Sequence, residues 1–153
     1  MHHIGVISDT HGLLRPQAVA ALRGCPVIIH AGDVGQPEIL DELRRIAPVF
    51  AVRGNVDFGP WAMKLPETET VEVGDCRLYV LHDLNALDRD PKASGFRAVI
   101  TGHSHRPRIE TKDGVLYFNP GSAGPRRLDL PVSVGRLTLS GGELQAEIIN
   151  LAV

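Results

Sequence analysis

A chain of 153 residues, 43% hydrophobic and 22% charged, has the composition of one globular domain spanning residues 1–153, able to bury about two-thirds of its unfolded surface and leaving no room for a second. A formal net charge of −2 and a pI near 6.4 give no electrostatic footprint for nucleic acid or an anionic membrane. Cys25 and Cys76 form neither a disulfide framework nor a paired-cysteine zinc motif, and the chain shows no stretch of membrane-spanning length and no leader-like N-terminus, so the expected compartment is the cytoplasm.

Ile4-Gly5-Val6-Ile7-Ser8 is a short apolar run of strand type that stops at Asp9-Thr10-His11-Gly12. Asp9 and His11 lie two residues apart, so their side chains share a face while the chain is still extended. Taken alone, this stretch reads more readily as a turn that caps the next helix. Leu14, Ala18, Ala21 and Leu22 then fall at helical spacing, with Pro16 in the first turn, where a missing N–H costs little, and Gly24 as the stop. Val27-Ile28-Ile29 reads as a strand buried on both faces, running into His30-Ala31-Gly32-Asp33. Pro37 opens a second helix with Ile39, Leu40, Leu43 and Ile46 on one face, closed by Pro48. Val49 to Val52 forms a third strand, ending at Arg53-Gly54-Asn55-Val56-Asp57. Alternation of strand and helix predicts parallel pairing with right-handed crossovers.

The second half has a different rhythm. Val71-Glu72-Val73 and Leu78 to Leu81 predict a hairpin around Gly74-Asp75, and the latter strand ends at His82-Asp83. Asn85 to Gly95 is a short helix or loop broken by Pro91, and Ala98-Val99-Ile100 is a buried strand ending at Thr101-Gly102-His103-Ser104-His105. Arg108 to Thr111 and Val115 to Phe118 flank Asp113-Gly114, a strong type I′ hairpin signal, and two final strands flank Ser140-Gly141-Gly142. The expected result is two packed sheets, one largely parallel and one richer in hairpins, with helices outside.

Read together, the strand ends carry the chemistry. Asp9, His11, Asp33, Asn55, His82, His103 and His105 all follow apolar strands, and ligands of open α/β sheets bind beyond the carboxyl ends. Of the 7 histidines, four stand at these ends. Gly32, Gly54 and Gly102 directly precede Asp33, Asn55 and His103, as expected where backbone must approach a site closely. Seven ligand-type side chains exceed what one four-coordinate ion needs, which implies two metals. Imidazole and carboxylate without thiolate favour manganese, iron, cobalt, nickel or zinc over calcium or magnesium.

The ordered set Asp9-x-His11, Gly32-Asp33, Gly54-Asn55, His82, Gly102-His103-x-His105 resembles the calcineurin-like metallophosphoesterase superfamily over nearly the whole chain. The short length and Asn119-Pro120-Gly121-Ser122 resemble its compact bacterial and archaeal phosphodiesterase branch. The resemblance implies an α/β fold, a four-layer α/β/β/α sandwich of two mixed β-sheets flanked by helices. It also implies one metal on Asp9, His11 and His105, the other on Asn55, His82 and His103, and Asp33 bridging them, with Asp33, Asn55 and His82 catalytic as well as ligating. The activity implied is phosphodiester hydrolysis of a small phosphoester by a metal-bridging hydroxide, with manganese first among the transition metals.

Two departures bear on the activity. Val56 stands where many members carry a histidine that protonates the leaving group, and Asp83 follows His82 where compact relatives commonly have glycine, a residue freer to take positive φ. The short Asn85 to Gly95 segment leaves little material for a cap and predicts an open, shallow site. Among the neighbours, His30 is read either as a residue orienting Asp33 or as a satisfied strand-end histidine. Asp57 and Asp83 either fix imidazole tautomers or are solvated at the surface, Arg126 and Arg127 either meet a substrate phosphate or are simply solvated, and Trp61 is a stacking platform near the site or, the favoured reading, a core anchor. The alternative function is a non-catalytic scaffold or interaction module like the retromer subunit of this fold.

Overall fold

The computed structural model describes residues Met1–Val153. Strands β1 (His2–Ile7), β2 (Val27–His30) and β3 (Val49–Ala51) pair in parallel, linked by helices α1 (Pro16–Leu22) and α2 (Pro37–Arg44). Helix α3 (Pro60–Met63) follows, then the hairpin β4 (Thr68–Val73) and β5 (Cys76–Leu81), a 3₁₀ turn (Leu84–Ala86), β6 (Ala98–Ile100) and the hairpin β7 (Arg108–Lys112) and β8 (Val115–Asn119). The last two strands are β9 (Ser133–Ser140) and β10 (Glu143–Asn150). Pro16, Pro37 and Pro60 each begin their helix, where the proline's missing donor is not needed. Asp113 and Gly114 both take positive φ, as the two-residue type I′ loop requires.

The strands form two five-stranded sheets, ordered β10-β9-β1-β2-β3 and β4-β5-β6-β8-β7. The first is less parallel than the strand–helix alternation predicts, because β9 returns from the far end of the chain to lie antiparallel beside β1 and brings β10 with it. That pairing depends on contacts more than a hundred residues apart, which no local pattern encodes. Alternation along β1 sends Ile4 and Val6 into the core between the sheets and Ile7 to the opposite face, under the helices. Between the sheets Ile4, Val6, Ile29, Leu78, Ile100 and Phe118 are all but inaccessible, each contributing about 1.5–3 kcal/mol by leaving water.

The outer face of the first sheet packs Ile7 and Ile28 against Ala18 and Leu22 of α1 and Leu40 and Leu43 of α2. Gly5 permits this closeness, since a Cβ there would stand 2.7 Å from Leu22 Cδ2. The outer face of the second sheet is covered only by the 3₁₀ turn and the coil to Phe96, through Leu84, Leu87 and Phe96 over Tyr79 and Val99. The fourth layer of the sandwich is therefore thin, and this asymmetry exposes the flank of the site described next.

Candidate metal centre

All seven predicted side chains meet at one rim formed by the carboxyl ends of β1, β2, β3, β5 and β6. The ligand atoms of Asp9, His11 and His105 lie within 4.8 Å of one another, and so do those of Asp33, His82 and His103. Asn55 Oδ1 joins the second group, 3.2 Å from His103 Nδ1. The groups touch through Asp33, whose Oδ2 is 3.1 Å from His82 Nε2 and 3.7 Å from His11 Nε2.

The backbone achieves this convergence by left-handed turns. Asp9, His11, Asp33, His103 and His105 have φ of 56, 47, 56, 72 and 62°, and only Asp113 and Leu128 join them among non-glycine residues. Asp9 and His11 therefore do not converge along an extended strand, as their spacing predicted: β1 has ended at Ile7 and the chain curls at both residues. Such backbone costs of order 1 kcal/mol or more per residue and survives only where the surroundings over-determine it. Here Asp9, His11 and Gly12 N–H groups donate to the carbonyls of Gly32, Asp33 and Val34, stitching the two loops together. Gly54 and Gly102 bring backbone against Asp33 and against Ser8 and Asp9, and a Cβ on Gly32 would stand 2.6 Å from His82 Nδ1. No larger residue fits these three positions.

Three of the ligands, Asp9, Asp33 and His82, are oriented by a bond at the far end. Asp9 Oδ2 accepts from Ser8 Oγ (2.6 Å) and the His103 amide (3.0 Å), which aims the other oxygen, Oδ1, at His105 Nε2 (3.4 Å), His11 Nε2 (3.7 Å) and His82 Nε2 (3.9 Å). Asp33 Oδ1 accepts from the Val56 amide (3.0 Å), leaving Oδ2 toward the histidines. His82 Nδ1 donates to the Ala31 carbonyl (2.7 Å), which puts the lone pair on Nε2 facing Asp33. Asn119 fixes the β6 loop by donating to the Gly102 carbonyl (2.9 Å) and Ser104 Oγ (3.2 Å), while Ser122 Oγ donates to the Asp9 carbonyl (3.0 Å). These give the Asn119-Pro120-Gly121-Ser122 stretch its local role.

The polar atoms left over fit a cation. Asp9 Oδ1, His82 Nε2 and His105 Nδ1 are buried without a hydrogen-bond partner. Two of them face the cluster's interior, where His11 Nε2 and His105 Nε2 also stand 3.3 Å apart, a spacing at which only one can donate to the other. Oxygen and imidazole nitrogen donors converging in this way are the donor set of a divalent transition-metal site. Without a cation the histidines act as counter-ions. Burial opposes ionisation of Asp9, but contacts from His105, His11 and Ser8 and the charge of His82 outweigh it and hold the carboxyl well below the usual range. Asp33 is likewise lowered, burial being outweighed by His82 and the Val56 amide. His11 is raised chiefly by Asp9, and His82 is raised because Asp33 and Asp9 overcome its burial.

The neighbouring residues divide differently from expectation. His30 is fully buried and satisfied: Nδ1 accepts from the Gly32 amide (3.1 Å) and Nε2 meets Thr10 Oγ1 (3.0 Å), which in turn donates to the Val34 carbonyl (2.8 Å). Burial pushes its pKa down to about 4, so it serves as a neutral pin between the two loops. Asp57 fixes no imidazole; its carboxylate accepts from the amides of Val34 (3.1 Å), Gly35 (2.9 Å) and Gly54 (2.9 Å) and clamps the β2 and β3 loops together. Asp83 takes φ −112°, so the glycine it replaces is not needed for backbone shape, and it caps the 3₁₀ turn through Asn85 N–H (3.0 Å). Trp61 packs on the helix-side core.

The short Asn85 to Gly95 segment leaves the site open to solvent on this flank. The 3₁₀ turn and Asp88-Arg89 wall a cleft of about 880 Å³ that runs from Asn55, His82 and His103 over Tyr79 and Leu81. A narrower groove of about 290 Å³ opens on the opposite flank, between His11, His105 and Arg126-Arg127. Neither cleft had a local signature, since each is bounded by segments far apart in the chain.

Comparison with known proteins follows the same chemistry. The profile of the calcineurin-like phosphoesterase superfamily domain matches residues 2–142. A probable metallophosphoesterase of Methanothermobacter thermautotrophicus is 38% identical over 96% of this chain and 91% of its own length. Among solved structures, one titled a novel archaeal phosphodiesterase superposes with TM-score 0.79 at 25% identity, covering 96% of this chain and 99% of that one. Vps29 of Chaetomium thermophilum superposes equally well, TM-score 0.79, at 19% identity over 99% and 97% of the two chains, a likeness of fold alone. The chain belongs to the calcineurin-like phosphoesterase superfamily, and with it to the metal-dependent hydrolases of phosphoric esters.

Proposed function

We propose that the protein is a dinuclear phosphodiesterase in which Asp9, His11 and His105 hold one divalent cation, Asn55, His82 and His103 the other, and Asp33 spans both. The observation that carries this reading is the placement of Asp33 Oδ2 between the two groups, within 3.7 Å of His11 Nε2 and 3.1 Å of His82 Nε2. When bound, such a pair of cations lowers the pKa of a shared water and neutralises charge on the phosphoryl oxygens. The chain's own residues supply the rest: Asp33 and Asp9 balance the cationic charge, Ala31 keeps the His82 lone pair on Nε2, and Asn55 offers a neutral amide oxygen that does not repel an anionic ester. Manganese heads the candidate ions, with iron, zinc, nickel or cobalt compatible with the same donors.

The buried free thiols of Cys25 and Cys76 suit a reducing cytoplasm, and no helix is long and apolar enough to cross a membrane. A scaffold role gains only fold-level support from Vps29. The test is chelation followed by reconstitution with each metal, assayed on a panel of mono- and diesters. Turnover that returns only with a transition metal, and faster on diesters, is the expected result; hydrolysis by the stripped protein, or of monoesters alone, contradicts it.

A further inference from the structure

Arg127 stands on the narrow groove beside His11 and His105, with no carboxylate among the groove's side chains and with its guanidinium making neither a hydrogen bond nor an ion pair. Other arginines are held: Arg53 pairs with Glu67 (2.9 Å), Arg44 with Asp41 (3.4 Å), and Arg15 and Arg136 bond the Gly124 and Ala21 carbonyls; Arg23, Arg45 and Arg106 are as free as Arg127, but none of them lines a cleft at the rim. Its neighbour Arg126 is tied to the Val153 carbonyl (3.3 Å).

The loop that presents Arg127 is fastened to the site. Ala123 N–H donates to the Ser8 carbonyl (3.0 Å), and the Arg15 guanidinium holds the Gly124 carbonyl (3.3 Å). Leu130 N–H then closes a turn onto the Arg127 carbonyl (3.1 Å). Within that turn Leu128 takes φ 53° while 86% exposed, so its strained backbone is not repaid by burial of the side chain. The other non-glycine residues in this conformation are the five candidate ligands and the hairpin residue Asp113.

The opposite flank lacks any such free cation. In the wide cleft Arg53 is held by Glu67 and Arg89 lies 3.7 Å from Asp88, while Asp83 adds a further carboxylate. An anionic substituent is repelled there and attracted on the Arg127 side.

We propose that Arg127 is a specificity-determining residue that binds a second anionic group, a phosphate or carboxylate carried by one substituent of the diester, so that the preferred substrates are diesters bearing additional negative charge on that side. This rests on the phosphodiesterase reading above. A planar guanidinium suits bidentate capture of such an oxyanion.

The experiment is calorimetric titration of the metal-loaded protein with thymidine 5′-monophosphate and thymidine 3′,5′-bisphosphate at low ionic strength, in wild type, Arg127→Ala and Arg127→Lys. The expected result is a preference for the bisphosphate of about tenfold, the order of one charge-assisted contact, shrinking with salt, falling to near unity in Arg127→Ala and restored in part by Arg127→Lys. Equal affinities in wild type, an unchanged ratio in Arg127→Ala, or no binding of either nucleotide overturns the proposal. Turnover of bis(p-nitrophenyl) phosphate, which carries no second charge, is measured in parallel, so that failure of the diesterase reading is seen separately.

Discussion

The two halves of the rim hold their side chains in different ways. In the Asp9, His11 and His105 half the Asp9 and His105 side chains are 0% and 4% exposed, and Asp9 is fixed by two hydrogen bonds at its outer oxygen. In the Asp33, Asn55, His82 and His103 half the inner pair is equally buried, but the His103 side chain is 44% exposed and Asn55 lies in the open cleft. Burial with an unpartnered donor atom means that losing the cation is costly, whereas exposed ligands can be solvated instead. The first half should therefore bind its ion more tightly, and the second should be where ions exchange and substrate enters.

The largest effect that bears on this contrast is the dependence of metal stabilisation on pH. In the metal-free protein His11 and His82 are raised above the ordinary histidine value by Asp9 and Asp33. The stability that these protonated histidines contribute is fully present below about pH 6.5 and is lost as pH rises through their raised folded values. Cations need the neutral imidazoles, so their binding releases those protons. The gap in Tm between metal-saturated and chelator-treated protein should widen as pH rises above about 6.5, reaching the equivalent of about 4 kcal/mol per site at a thousandfold excess over Kd. A gap that is flat or narrows with pH breaks the assignment of these histidines to metal.

The contrast is read most directly from the difference between His105→Ala and His103→Ala. The first removes a buried ligand and strips Asp9 Oδ1 of its nearest neighbour; the second removes a largely solvated one. Loss of affinity for the tightest ion should be at least tenfold greater in His105→Ala, on the order of 1.4 kcal/mol, read from competition with a chelating dye. Equal losses would erase the distinction between the halves.

Separable by pH is the contribution of His30. Its folded pKa of about 4 lies below the unfolded value near 6.5, so stability falls as pH drops from about 6.5 to about 4, by about 3 kcal/mol in all. The aspartates of the rim, lowered from 3.8, lose their contribution only at more acid pH. His30→Gln should lower stability at neutral pH by about 1–3 kcal/mol yet flatten the slope between pH 6.5 and 4, as urea titrations would register. An unchanged slope would mean that another group carries the acid sensitivity.

A further change concerns Val56, which is 39% exposed and cannot donate a proton. Turnover should depend steeply on leaving-group acidity across substituted phenyl diesters, since a positioned acid is worth about 10²–10⁴-fold. Val56→His should flatten that dependence with little effect on the most activated ester. A flat wild-type series, with chemistry rate-limiting, would place the acid elsewhere.

Much of the site was legible because each ligand ends a short apolar run, and period and composition reveal such runs. Gly32, Gly54 and Gly102 marked the close approaches before any contact was known. The turn geometry was not legible: an Asp-Thr-His stretch reads the same whether extended or curled, and only the carbonyls of Gly32, Asp33 and Val34 force the curl. Asp57 reaches the Val34 and Gly35 amides and His30 the Thr10 hydroxyl, partners some twenty residues away that leave no spacing pattern. Helix α3, one turn after Pro60, is too short for periodicity to show. The return of β9 to β1 is likewise a matter of tertiary pairing, and the wide cleft follows from how thinly the second sheet is covered.

The central claim is that Asp33 joins two metal sites, and the most direct test is metal content per chain measured together with diester turnover in wild type and Asp33→Ala. The account predicts up to two transition-metal ions in wild type, and in Asp33→Ala a fall in occupancy at both sites together with loss of turnover. Full occupancy and undiminished turnover in Asp33→Ala would contradict it.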